Sequence, residues 1–307
     1  MKSSPAESRI TVTNRVRTAW DVFQGFRKKT LGTANASKEI EWHRRILDDF
    51  RRYGASPIEG ARYLEVGCGQ QGPQLLLFAA DGMEAEGIDL TVSTLHFGPA
   101  TLLQILRNDG PERALKTLVR HYLFDGRYYR EMAEEYGKAL PFARVRTHLM
   151  SATAMTYPDN SFDYIGSRSV FEHIDDVTKA VQEVDRVLKP GGIAWIGIHL
   201  FPSLTGGHHI EWLDPGNSKP KRTPPWDHLR ENKYPAVWHL NKLRLADYQR
   251  VFVENISVLE ERRMTEFTDK PLTPEIEREL AAKGYAREEL LTRAAFFICT
   301  KKTVSQP

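Results

Sequence analysis

Three glycines, Gly67, Gly69 and Gly72, stand in the stretch "YLEVGCGQQG" with the spacing G-x-G-x-x-G. Glycines so placed between a strand and a helix let a ligand approach the backbone, where free amide groups attract negative charge. Read literally, the spacing marks a dinucleotide site. Glu65, however, sits two residues before the first glycine. A carboxylate is unwelcome beside a pyrophosphate and suits a ligand with a positive charge. Asp89 follows Gly69 by 20 residues, at the place where an acid accepts both hydroxyls of a ribose in either kind of site. Histidines form a second set. Five of the ten fall between residues 199 and 239: His199, His208, His209, His228 and His239. Glu211, Asp214 and Asp227 lie among them. Histidine and carboxylate can ligate divalent ions, but this spacing matches no closed zinc pattern, and no metal is expected. Imidazole is also the side chain best suited to take a proton near neutral pH. The candidate bases are His208 and His209 first, then His199, then His173.

These residues need elements to hold them. Tyr63 to Val66 reads as a buried strand, and Pro73 opens a helix that Gly82 ends. Glu84 to Leu90, Val145 to Leu149 and Phe162 to Gly166 read as three further strands. Val177, Ala180, Val181, Val184, Val187 and Leu188 share one face at helical spacing, with Asp175 and Asp176 at the N-terminal end. Pro190-Gly191-Gly192 should stop that helix before a strand from Ile193 to Ile198, and two late strands are expected at 256–259 and 295–299. Repeated strand–helix–strand units predict an α/β fold: a doubly wound, mostly parallel seven-stranded sheet with a helical cap insertion. Ligands in such sheets bind at the carboxyl ends of the strands.

Four segments follow. Residues 1–60 form an N-terminal helical segment, with a helix from Ile40 to Tyr53, and residues 61–307 form the main domain. Within it, 91–144 is too long for a loop. Ala114, Leu115, Leu118, Val119, Tyr122 and Leu123 make an amphipathic stripe there, expected to pack a cap over the sheet. Residues 201–240 hold six of 17 prolines and three of six tryptophans, which predicts an ordered substrate-side loop. Gly206-Gly207 reads as a flexible turn carrying His208 and His209. Trp212, Trp226 and Trp238 either pack that loop or stack on a ring, and Lys221, Arg222 and Arg230 read as solvated charges on it.

The 307 residues are 41% hydrophobic and 27% charged, ordinary for a globular protein. A net charge of +3 gives no cause to expect a nucleic-acid partner. The longest apolar run, Leu75 to Ala80, is far short of the ~20 residues that span a bilayer, so no membrane partner is expected. Cys68 and Cys299 are the only cysteines, which suits a reducing compartment. Six basic residues from Arg9 to Lys29 hint at a transit peptide, but Glu7 and Asp21 speak against it. The expected location is cytoplasmic.

Five motifs occur in order: Glu65-Val66-Gly67-Cys68-Gly69, Gly87-Ile88-Asp89-Leu90, Ser161-Phe162-Asp163-Tyr164-Ile165, Val170-Phe171-Glu172-His173-Ile174 and Leu188-Lys189-Pro190-Gly191-Gly192. Over residues 61–200 the chain thereby resembles the class I S-adenosylmethionine-dependent methyltransferases, in their broad small-molecule branch. The resemblance implies a Rossmann-like sheet and S-adenosyl-L-methionine as cofactor. It implies that Glu65, Gly67, Cys68, Gly69 and Gln70 lie near the cofactor's methionine end, with Ser167 and Arg168 beside them. It implies that Asp89 and Leu90 hold the ribose, and that Ser151-Ala152 stands where the family often has an acidic pair against the adenine. The function expected is methyl transfer to a small-molecule acceptor, through a hydroxyl oxygen because histidines crowd the substrate side. N- or C-methylation, a nicotinamide-dependent oxidoreductase and a non-catalytic cofactor-binding protein are the alternatives.

Overall fold

The computed structural model describes residues 34–209, 211–212, 220, 222–236 and 239–302. The basic N-terminal stretch, Asp214, Lys221 and Trp238 lie outside the described residues.

Seven strands form one sheet: β1 (Arg62–Val66), β2 (Glu84–Asp89), β3 (Arg146–Leu149), β4 (Phe162–Arg168), β5 (Leu188–His199), β6 (Ser257–Thr265) and β7 (Thr292–Thr300), in the order β3-β2-β1-β4-β5-β7-β6. The first five pair in parallel. β7 runs antiparallel between β5 and β6. β1 and β4 sit in the middle, so their apolar residues are buried on both faces and read as continuous hydrophobic runs. The strand order reverses at β1, which leaves a crevice above the carboxyl ends of β1, β2 and β4. The expected sheet is present. The late strands are nine residues each, longer than sequence predicts.

Helices cover both faces. On one side α1 (Ala34–Tyr53) and α2 (Pro73–Ala80) bury Ile46, Phe50, Leu75, Leu76 and Phe78 against Tyr63, Tyr164 and Trp195. Asp49 anchors α1, accepting from the Trp195 indole at 3.1 Å and from Arg262 of β6. Three helices and a π-turn fill the insertion: α3 (Pro99–Asp109), α4 (Pro111–Arg120), the turn His121–Asp125 and α5 (Gly126–Tyr136). On the other side α6 (Val177–Val187) and α7 (Leu245–Asn255) pack Val181, Val184 and Phe252 against Leu64, Ile165 and Ile196. Asp176 caps α6 by accepting from the Lys179 amide. Two short helices, α8 (Pro274–Ala282) and α9 (Arg287–Leu291), pack Leu280 and Leu290 in a cluster with Leu204, Trp212, Trp226 and Leu229.

Three expectations need correction. Pro190-Gly191-Gly192 does not separate helix from strand. β5 begins at Leu188, pairs with Phe162, and bulges at the Gly191 turn (φ 77°) before resuming at Ile193. The apolar stripe of α4 is not buried as a whole: Leu115, Tyr122 and Leu123 are 63–74% exposed, while Ala114, Thr117 and Arg120 face inward. Polar bonds override the pattern. Arg120 donates to Gln70 Oε1 and Thr94 Oγ1 and pairs with Asp125, so the polar face is the docked one. Gly206-Gly207 is buried rather than flexible. A Cβ on Gly206 would stand 2.2 Å from the Leu200 carbonyl oxygen, and one on Gly207 2.5 Å from the His228 ring.

Candidate active site

The glycine turn explains its own composition. Gly67, Gly69 and Gly72 all have positive φ, at 78°, 64° and 48°. A Cβ at Gly67 would also meet Val170 at 2.2 Å. Space beside Gly69 is open, and its amide donates to Asp89 Oδ2 at 2.8 Å. Asp89 Oδ1 accepts from both the amide and the hydroxyl of Thr91. The carboxylate thus fastens the turns after β1 and β2 together, and it lines a cavity of about 240 Å³ with Cys68, His96, Gln104, Thr147 and Leu149.

Beneath the turn lies a set of buried charges. Glu65 is 7% exposed, and its Oε2 has no hydrogen-bond partner among the described residues. Burial pushes its carboxyl up to about 8, against the pull of Arg168. Arg168, at the end of β4, donates through Nη2 to both oxygens of Glu39 on α1. Its Nη1 is buried without a partner among the described residues. Gln74 of α2 bonds Glu39 through its amide nitrogen and leaves Oε1 unmatched. A buried carboxyl oxygen and a buried guanidinium nitrogen, each unmatched, cost stability unless a ligand completes them.

A second cluster stands at the carboxyl ends of β4 and β5. Glu172, His199 and His208 bring one ligand atom each to within 4.8 Å of one another. His199 Nε2 donates to Thr205 Oγ1 at 2.7 Å, and that hydroxyl donates to Glu266 Oε1 at 2.9 Å. The relay fixes the tautomer and aims Nδ1 of His199 at Nε2 of His208, 3.1 Å away. The His208 ring packs 5.1 Å from that of His173, whose Nδ1 donates to the His239 carbonyl. Burial holds both His199 and His208 below the ordinary imidazole range, His208 at about 4. His209 points elsewhere, toward Thr223 and the Tyr234 ring.

Residues 64–196 match the family profile described as a methyltransferase domain. That stretch is a methyltransferase domain of the class I S-adenosylmethionine-dependent kind. It is 31% identical over 123 residues to the uncharacterized methyltransferase YcgJ of Bacillus subtilis, covering 39% of this chain and 46% of that protein. It is 41% identical over 51 residues to a ubiquinone/menaquinone biosynthesis C-methyltransferase of Rickettsia akari, covering 17% of this chain and 21% of the relative. The aligned parts thus span about half or less of these relatives. The crystal structure of YcgJ overlays with a TM-score of 0.44 at 18% identity, over 85% of this chain and 100% of the other.

Against this methyltransferase's sequence the geometry is uneven. Cys68 and Asp89 line the cavity, Glu65 and Arg168 carry the unmatched atoms, and Gly67 and Gly69 stand in the turn that Asp89 fastens. Gln70 does not: its side chain turns away to Arg120. Ser167 is buried in the sheet and donates to the Val66 carbonyl, so it holds β1 to β4. Ser151 accepts from the Thr153 amide in a local turn, Ala152 packs against the core, and Leu90 is 68% exposed. His173, His199 and His208 come together, and His209 does not. Sequence reasoning missed Glu39 and Gln74, contributed by helices. It also missed Glu172, which was visible only as a motif letter beside His173. Among the described residues no helix is long and apolar enough to cross a membrane.

Proposed function

We propose that this methyltransferase moves the methyl group of S-adenosylmethionine to an oxygen of a small molecule. The observation that supports the donor is the pair of unmatched charges, Glu65 Oε2 and Arg168 Nη1. An amino-acid end carries an ammonium and a carboxylate, and Glu65 suits the first as Arg168 suits the second. Gly69 and Thr91 take three of the roughly four lone-pair sites of Asp89, and the remaining one on Oδ2 accepts from a ribose hydroxyl. Bound there, the sulfonium supplies an electrophilic methyl carbon, which passes to the acceptor as an oxygen–carbon bond forms and a carbon–sulfur bond breaks.

The chain's own work is positioning and proton removal. The cluster of Glu172, His199 and His208 supports an oxygen acceptor, because an alcohol or phenol must lose its proton as it is methylated. His199 and His208 are held neutral by burial and can act on that proton. Sugar, polyketide-like and phenolic acceptors all fit this chemistry.

The test is radiolabelled methyl transfer from S-adenosylmethionine to panels of hydroxyl, amine and activated-carbon acceptors. Product from the hydroxyl panel, with turnover lowered about 10²–10⁴-fold in His199→Ala or His208→Ala and little changed in His209→Ala, is the expected result. Product from amine or carbon acceptors only, or no loss in either variant, would overturn the oxygen reading.

A further inference from the structure

We propose that Glu172, His199 and His208 form a binding site for a divalent transition-metal ion, set where the acceptor oxygen must come. The inference rests on the oxygen-acceptor reading proposed above.

Two imidazoles and one carboxylate make a ligand set that divalent zinc, iron, cobalt and manganese all accept, leaving coordination positions open for water or substrate. Ligand atoms about 2.0–2.2 Å from such an ion stand roughly 3–3.5 Å apart. Here His199 Nδ1 and His208 Nε2 are 3.1 Å apart, and His208 Nε2 and Glu172 Oε1 are 4.0 Å apart. Closing the site requires only a small inward shift of Glu172.

Three independent features support the site. Glu172 is 2% exposed, and neither of its oxygens has a hydrogen-bond partner of ordinary geometry among the described residues. Burial favours the neutral carboxyl there, and a cation bound beside it would let it ionise. The relay from His199 Nε2 through Thr205 to the buried Glu266 is the outer-shell support that orients a ligating histidine and raises its basicity. His208 is held at φ 50°, a strained conformation for a side chain other than glycine. The two glycines before it are packed too tightly for any Cβ, which fixes the imidazole's approach. An ion at this point would polarise an acceptor hydroxyl and lower its pKa, so that the proton passes to solvent water and the two imidazoles act as ligands in place of taking it themselves.

The test is direct binding of Co²⁺ to protein freed of metal by chelator. It is followed by visible absorption and by calorimetry, with Zn²⁺ as competitor. One equivalent of Co²⁺ should bind, Zn²⁺ should displace it, and Glu172→Gln and His208→Asn should each weaken binding by at least ~10-fold. His209→Asn should not. Affinity for S-adenosylhomocysteine and the melting temperature report whether each variant is folded. No Co²⁺ binding by the wild-type protein, or equal binding by folded Glu172→Gln and His208→Asn, would overturn the site. Failure of methyl transfer with metal binding intact would instead overturn the proposed reaction, so the two readings fail separately.

Discussion

Glu65 combines two costs that make sense only together with a ligand. It is buried with one oxygen unmatched, and burial raises its carboxyl to about 8. A carboxyl raised on folding binds its proton more tightly in the native state, so the ligand-free protein should lose stability as pH rises from ~4.5 toward 8. Glu65→Gln should remove that slope and melt higher than wild type at pH 8 when no ligand is present. The ammonium of S-adenosylhomocysteine needs the ionised carboxylate, so wild-type affinity should rise between pH 6 and 8, and the Gln variant should bind weakly throughout. Calorimetry across that range checks both signs, and a flat wild-type profile contradicts the role. Arg168→Lys keeps the charge but loses the fork that reaches Glu39 and a ligand carboxylate at once. It should weaken S-adenosylhomocysteine by about 1.5–3 kcal/mol. Methylthioadenosine, which lacks the amino-acid end, should bind as before. Glu65, Asp89 and Arg168 were legible because each ends a strand beside a motif. Glu39 was not, because its role depends on where α1 docks, and α1 lies far upstream in sequence with no local mark of the site.

Elements show where local pattern and tertiary demand part ways. In α4 the apolar stripe gave the right secondary structure and the wrong buried face. The inward face is chosen by Arg120, which satisfies Gln70, Thr94 and Asp125 at once. Arg120→Ala should therefore cost about 3 kcal/mol or more by leaving Asp125 buried without its cation. Leu115→Asn should shift stability by no more than about 0.5 kcal/mol. Urea denaturation separates the two, and the reverse ranking would contradict the docked orientation. The Gly206-Gly207 turn carries the same lesson. Two glycines in sequence read as freedom, yet here they permit close packing under Leu200 and His228. Gly206→Ala should destabilise by about 2 kcal/mol or more, measured in the same way. The two described tryptophans of this loop pack it: Trp226 is fully buried and donates to the Pro202 carbonyl, and Trp212 donates to that of Thr223. Sequence could mark the loop's histidines but could not say which of them come together with Glu172.

At the scale of the whole molecule, strand order decides what the glycine turn can serve. Alternation of strands and helices made the parallel sheet readable, and with it the place of Asp89 at the end of β2. The antiparallel β7 between β5 and β6 was not readable, because nothing in the apolar run 295–299 specifies its neighbours. The sheet places the Glu65–Arg168 charges under the turn, and the Glu172–His199–His208 cluster at the ends of β4 and β5 on the acceptor side. A dinucleotide would leave Glu65 facing a pyrophosphate. S-adenosylmethionine, the proposed donor, would give Glu65 an ammonium and Arg168 a carboxylate. The most direct measurement is therefore calorimetric titration of the wild-type protein with S-adenosylhomocysteine and, separately, with NAD⁺. Binding of S-adenosylhomocysteine with one site per chain, abolished or strongly weakened in Glu65→Gln and Asp89→Asn, with no binding of NAD⁺, is the expected result. Binding of NAD⁺ in preference, or S-adenosylhomocysteine affinity unchanged in both variants, would contradict it.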